Sequence, residues 1–343
     1  MTGEEAPARG RSATLSDVAK AAGVSLATAS KALNGKDQVR AETRDRVVRA
    51  AERLAFSPNA LARSLLAGRS GTVGLLTSDL EGRFSIPIMM GAEDAFGAGR
   101  VSVFLCDARG DSIREQHHVQ ALLSRRVDGL IVVGSSTDPR SSLGRNLSVP
   151  VVYAYAPSED PADVSIVTDN VDAGRRAVEH LVGAGRTRIA HITGDASYAA
   201  ARDRAKGVTD TLDRLGLQLA GGSVLFGSWN EPWGRGAARL LLDRDEQVDA
   251  IVAGSDQIAR GVLDALHDRQ LRIPEDIAVI GFDNWTVLAT NSRPQLTSVD
   301  LRLEELGRLA AQRLFEAMDG DVRPGVETLQ SRVITRGSTT PSH

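Results

Sequence analysis

From Thr72 onward the chain alternates short apolar runs with amphipathic stretches, and this alternation constrains its fold most tightly. Residues 73–76, 101–105, 130–133 and 151–153 have strand length, and helical stretches such as 86–98 and 113–125 separate them. The series restarts after Asp169 and Asn170 with helix 173–183, strand 189–193, helix 204–215, strand 250–253, helix 258–268 and strand 277–282. Apolar strands joined by helices form parallel sheets buried on both faces. Two consecutive series therefore predict two doubly wound α/β lobes. Such sheets bind ligands beyond the C-terminal ends of their strands, and the crevice between two lobes is the expected pocket.

The first 71 residues read differently, and charge separates them from the rest. Residues 1–69 hold twelve Lys/Arg against seven Asp/Glu, a balance of +5; the whole chain is −3, so the other 274 residues stand at −8. A basic head on an acidic body suits a head that meets a polyanion. Residues 1–13 are polar and read as a disordered tail. Order is expected from Thr14, which with Asp17 forms a T-x-x-D capping pattern, to Gly23, which ends the first helix. Ser25 caps a second short helix carrying Thr28, Ala29, Ala32 and Leu33 and closed by Asn34 and Gly35. A third helix, about 42–54, is read with Val47, Val48, Ala51 and Leu54 on one face.

Helix, glycine turn and short helix is the helix-turn-helix spacing, whose second helix enters the major groove. Leu26, Ala27, Ser30, Lys31 and Asn34 point away from the small core of residues 14–57. Hydroxyls and amides there can bond phosphate, Lys31 can reach a guanine edge, and Leu26 and Ala27 can touch a thymine methyl. Spacing alone equally fits a three-helix bundle that binds protein. Residues 58–71 follow as a linker: Ser57 caps, Pro58 opens about two helical turns, and a Gly/Ser stretch closes it. So short a helix is unstable alone in water.

Several function classes are excluded. The 42% hydrophobic and 25% charged fractions are those of an ordinary globular chain. No apolar run approaches the roughly 20 residues of a membrane span, and no secretory h-region precedes the head. A lone Cys106 allows no disulfide framework and fits a reducing compartment. The expected location is the cytoplasm, with no membrane partner. The sequence has no GxGxxG, and Ser30 stands where a phosphate-binding GxxxxGK[ST] loop needs glycine. Adjacent His117 and His118 on a helix point different ways, which does not suit a metal. Neither enzymatic chemistry nor a cofactor or metal is expected.

The stretch 15–35, Leu-Ser-Asp-Val-Ala-Lys-Ala-Ala-Gly-Val-Ser-Leu-Ala-Thr-Ala-Ser-Lys-Ala-Leu-Asn-Gly, closely resembles the DNA-binding head of the lactose/galactose repressor (LacI/GalR) family. Ala29 stands where that family has Val, and Lys31 where it has Arg, which exchanges a planar fork for a point charge. The resemblance implies DNA contacts from Ser25, Leu26, Ala27, Thr28, Ser30, Lys31 and Asn34. It also implies that 58–71 is a hinge helix folding when two copies meet in the minor groove. Asn59 and Ala62 would then touch DNA, and Leu65 would be the wedge that kinks the central step.

The body, 72–343, is similar to the same family in Val127-Asp-Gly-Leu-Ile131, Asp169-Asn170, Arg202-x-Arg204-x-x-Gly207, Asp256-Gln-Ile-Ala259, Gly281-Phe-Asp283 and Pro294-Gln-Leu-Thr-Ser298. That resemblance implies an effector domain built like a periplasmic sugar-binding protein. Its implied site is Phe84, Asp169, Tyr198, Arg204, Trp229, Ser255, Asp283 and Trp285. Arg204 can fork onto vicinal hydroxyls or a carboxylate, Asp283 can accept from two hydroxyls, and Trp229 aligns with the family's sugar-stacking aromatic. Ser255 replaces a usual Asn. Of thirteen aromatics, Phe84, Tyr155, Tyr198, Trp229, Trp233 and Trp285 all fall in or beside predicted crevice loops, which suggests a pocket wall.

The expected function is a sequence-specific repressor whose operator affinity a small carbohydrate controls. Alternatives are a nucleobase or nucleoside effector, co-repression, or a transporter's solute-binding protein. The last would leave the basic head unexplained. The expected partner is a pseudo-palindromic double-stranded operator bound by a homodimer. Family tetramers carry an apolar heptad tail, whereas residues 334–343 hold Gly337 and Pro341 and no such repeat. Helix 86–98, with Met89 and Met90, is the expected dimer seal.

Overall fold

The computed structural model describes residues 14–33, 39–54, 69–79, 83–97, 101–244 and 247–340. The expected tail, Asn34, and the hinge residues Asn59, Ala62 and Leu65 lie outside them. The chain divides into two compact units, residues 1–70 and 71–343.

Among its described residues the head holds three helices: α1 (Leu15–Ala22), α2 (Leu26–Leu33) and α3 (Ala41–Arg53). Thr14 and Asp17 close a full capping box, with the Thr14 N–H donating to the Asp17 carboxylate at 2.9 Å. Gly23 ends α1 at φ 63°, a left-handed conformation that costs glycine little. Ser25 accepts from the Thr28 N–H at 3.1 Å and starts α2. Val18, Ala19, Ala22, Ala29, Ala32, Val47, Ala50 and Ala51 form the core. The reading of α3 needs correction: Val48 and Leu54 are exposed, and Ala50 is buried in their place. From Val47 the inward stripe runs i+3 and i+4, which puts Val48 about 100° round the helix and Leu54 on its end.

The body begins with β1 (Thr72–Thr77), α4 (Ser85–Phe96), β2 (Ser102–Asp107), α5 (Ser112–Ser124), β3 (Gly129–Val133), β4 (Val151–Ala154) and β5 (Val164–Thr168). Next come α6 (Asn170–Gly183), β6 (Ile189–Thr193), α7 (Ala199–Arg214), β7 (Leu225–Phe226), α8 (Glu231–Asp243) and β8 (Ala250–Ala253). Then follow α9 (Asp256–Asp268), β9 (Ala278–Phe282), α10 (Thr286–Ala289) and β10 (Thr297–Asp300). Last are α11 (Leu303–Met318), β11 (Gly325–Leu329) and β12 (Arg332–Ile334).

One sheet runs β2-β1-β3-β4-β5-β11 and the other β7-β6-β8-β9-β10-β12. The pairs are parallel except β10 with β12. The strand path is the same in both, so the lobes repeat one doubly wound design whose order reverses beside β1 and β6. The chain crosses between the lobes three times: from β5 into α6, from β10 into α11, and from β11 to β12. The helix pairs α4/α11, α6/α7 and α8/α9 cross through reciprocal glycines. A Cβ at Gly91 or Gly307, at Gly174 or Gly207, or at Gly234 or Gly261 would fall on a backbone carbonyl of the opposite helix. A buried apolar cluster runs from Val73 and Ile131 of one lobe to Val252 and Phe282 of the other.

Candidate functional site

Between the two sheets, at the C-terminal ends of strands from both, lies a cavity of about 200 Å³. The first lobe supplies Arg83 and Phe84 beyond β1, Ser135 to Thr137 beyond β3, and Tyr155 beyond β4; the second supplies Tyr198 and Arg204, Trp229, and Asp283 beyond β9. Tyr155 and Asp283 follow the fourth strand of their respective sheets, and both hold positive φ, 73° and 92°. Such backbone is strained for residues with a Cβ and persists where surrounding structure fixes it. Here the backbone N–H groups donate to Ile166 and Val299 of the next strand, each at 2.9 Å.

Arg204 and Asp283 meet in the wall at 3.3 Å, each side chain 2% exposed. Every Arg204 nitrogen is engaged: Nε donates to Asn170 at 2.8 Å, Nη1 to the Gly254 carbonyl at 2.6 Å and Nη2 to Asp283. Burial pulls the Arg204 pKa down to about 10, so the group stays charged at neutral pH. The other Asp283 oxygen accepts from Arg83, whose Nη1 donates to Gln257 at 2.7 Å. Arg83 thus ties the first lobe to the second. A second tie runs from Asp138 to the Ala199 N–H at 2.9 Å and to Arg202 at 3.5 Å.

Aromatic rings complete the walls. Phe84 stacks on Tyr155 at 4.6 Å, and Tyr198 meets Trp229 edge-on at 6.0 Å. Trp229 lies so close to Gly194 that no Cβ fits there. Trp233 stands outside the wall. Its Nε1 donates to the Thr193 carbonyl at 2.9 Å and its ring covers Gly227, which holds the loop carrying Trp229.

Five of the eight expected body residues, Phe84, Tyr198, Arg204, Trp229 and Asp283, therefore converge on one cavity. Trp285 lies in an adjoining chamber of about 390 Å³, which shares Arg83 and Asp283 with the first. Asp169 and Ser255 are placed otherwise: their side chains cap α6 and α9, accepting from the N–H groups of Asp172 at 2.8 Å and Ile258 at 3.2 Å. Asn170, the neighbour of Asp169, takes the contact with Arg204. Sequence reasoning missed Arg83 and Ser135 to Thr137; a cation beside Phe84 in the loop after β1 was the available signal for the first.

The family model for "Bacterial regulatory proteins, lacI family" matches residues 14–59, and that for "Periplasmic binding protein-like domain" matches 178–339. The ribose operon repressor of Escherichia coli (strain K12) is 35% identical over 307 residues, 88% of this chain and 92% of its own. The chain belongs to the lacI family. A solved lac repressor dimer bound to operator and the anti-inducer ONPF superposes with a TM-score of 0.73 at 28% identity, covering 96% of this chain and 99% of that one. The CelR–cellobiose complex, a transcriptional regulator, gives 0.64 at 30% identity over 95% and 99%.

As a lacI-family member it is a DNA-binding transcriptional regulator, and its relatives are regulators rather than enzymes. Among the described residues no helix is long and apolar enough to cross a membrane, and no group of acids, His or Cys could hold a metal. In this lacI-family head, α2 turns Ser25, Leu26, Ala27 and Lys31 to solvent, with Leu26 54% exposed, and buries Ala29 and Ala32. Thr28 and Ser30, also expected at the DNA, are half-buried there.

One buried group beside the site gives a pH prediction. His191, on β6, has Nδ1 at 2.8 Å from the Val252 carbonyl, and burial lowers its pKa to about 4. The unfolded chain takes up this proton near pH 6.5, whereas the fold resists until about 4. The contribution is therefore full above 6.5 and is lost as pH falls toward 4, by about 3 kcal/mol. Denaturant unfolding at pH 5 and 7 should show a smaller acid loss in His191→Gln than in the parent. An equal loss in both would place the titration elsewhere.

Proposed function

We propose that this chain is a cytoplasmic homodimeric repressor whose affinity for a pseudo-palindromic operator is set by a small carbohydrate bound between the lobes. The observation that carries this reading is the Arg204–Asp283 pair in a wall of aromatic rings, assembled from strand ends of two lobes. Polar groups that fork onto hydroxyls, beside flat apolar faces, suit a sugar ring. Ser25, Leu26, Ala27, Thr28, Ser30, Lys31 and Asn34 meet the major groove, and Asn59, Ala62 and Leu65 the minor groove. Phe84, Tyr198, Arg204, Trp229 and Asp283 touch the effector, with Trp285 beside them, while Asp169 and Ser255 act through the helices they cap. Exposed Ile86 and Met90 on α4 support a dimer seal there. The CelR–cellobiose complex and the operator-bound lac repressor dimer support the same partners.

The Arg83 and Asp138 ties close the lobes on one another, so an effector that binds the open and closed arrangements unequally shifts the DNA-binding state. Couplings of this kind run on the order of 1–3 kcal/mol. Thermal-shift screening of the full chain against sugars, nucleobases and nucleosides tests the effector class. A response to nucleosides alone would replace the carbohydrate. For the operator, Leu65→Ala should weaken specific binding by roughly ten- to a hundredfold and leave non-specific, salt-dominated binding unchanged. Equal loss on operator and random DNA in a gel-shift titration would make Leu65 a linker residue only.

A further inference from the structure

The charge of the cavity wall narrows the effector further. Two guanidiniums, Arg83 and Arg204, face it against one carboxylate, Asp283. Arg204 has each of its three nitrogens on a protein acceptor. Arg83 does not: its Nε is buried without a partner, and so is Oγ1 of Thr137 in the same wall. The Arg83 guanidinium lies over the rings of Phe84 and Trp285, 5.0 and 5.7 Å from their centroids. Those contacts fix the plane of a group whose two Nη atoms meet Gln257 and Asp283 and still carry further N–H donors.

Two acids outside the wall, Asp79 and Asp256, accept from protein donors. Asp79 accepts from the N–H groups of Phe84 at 2.9 Å and Ser85 at 3.3 Å, at the start of α4. Asp256 accepts from Ser298 Oγ at 2.7 Å and the Trp285 N–H at 2.6 Å, and burial lifts its pKa to about 7, so much of its charge is absent at neutral pH. Asp203 lies among Arg202, Arg204, Asp138 and Asp169. One positive charge in the wall therefore stands without a counter-charge in the wall. Desolvating it further under a neutral ligand is costly, whereas an anion would answer it.

We propose that the effector is a sugar acid, an aldonate or uronate, whose carboxylate is taken by Arg83 while its hydroxyls reach Asp283. This rests on the carbohydrate reading above and names the class within it. A carboxylate brings one negative charge, matching the excess. A phosphate ester brings about −1.5 to −2 and would face Asp283 with charge to spare. A chamber of about 200 Å³ holds one sugar unit.

The test titrates the full chain calorimetrically with D-glucose, D-galactose and D-ribose, with D-gluconate, D-galactonate, D-ribonate, D-glucuronate and D-galacturonate, and with D-glucose 6-phosphate. At least one acid should bind about tenfold or more tightly than its parent sugar, with an affinity that falls as salt rises. Arg83→Gln should close that gap, and Arg83→Lys should keep part of it. Parent sugars binding as tightly as their acids, or a gap that survives Arg83→Gln, would overturn the assignment. Preference for the phosphate over every acid would overturn the carboxylate. If neither sugars nor acids bind, the carbohydrate reading itself fails, and this one with it.

Discussion

Asp283→Ala is expected to abolish the effector response and to lower the stability of the body by about 3–5 kcal/mol, because it removes the carboxylate that pairs with both half-buried Arg83 and buried Arg204. Arg204→Ala should cost a similar amount, since Asn170 Oδ1 and the Gly254 carbonyl lose their donor. The two losses should not add. With Arg204→Met beside Asp283→Ala, one uncompensated charge disappears with its partner, and stability should recover in part while the response stays absent. Denaturant unfolding and effector titration of the three variants measure both quantities. Arg204→Ala leaves both ties between the lobes in place, so its effector-free operator affinity should stay close to that of the parent wherever the body remains folded. Normal effector binding by either single variant would remove that residue from the site.

Gly307→Ala should be among the most damaging changes of one methyl group in the body. Its Cβ would fall on the Ile88 carbonyl where α11 crosses α4, and backbone cannot yield as a flexible side chain can. Overpacking of this kind costs about 1–3 kcal/mol and sometimes more. Because α11 is the helix by which the chain returns to the first lobe, a shift there also moves the crossing segments at 300–303. Gly236→Ala, on α8 with nothing near the new methyl, is the control. It should be neutral or stabilising by up to about 1 kcal/mol. A thermal melt in which Gly307→Ala matched Gly236→Ala would show that α4 and α11 separate at little cost.

The sequence by itself determined whatever is fixed by neighbours in the chain. The Thr14–Asp17 capping box, the left-handed Gly23 and the Ser25 cap are set within a few residues, so the helix-turn-helix was legible. The apolar strands β1, β3, β6 and β8 announced two parallel sheets because strands buried on both faces must be apolar throughout. Asp169 and Ser255 carried local cap signals too, and in the fold each places one side-chain oxygen on a helix N–H. Other strands were not read, among them β11, which alternates half-buried and exposed residues, β12, three residues long, and the short buried strands β5 and β10.

The site itself was decided by the tertiary structure. Arg83 and Asp283 lie 200 residues apart, and only the closing of one lobe on the other makes them partners. Arg204 meets Asn170 through the α6/α7 crossing that Gly174 and Gly207 permit, and it meets the Gly254 carbonyl beyond β8, so neither partner could be read from its own neighbours in the chain. Local sequence sets backbone preference through sterics and hydrogen bonds a few residues long. The charge balance of a cavity depends on which distant side chains the packing places around it, and that the fold alone decides.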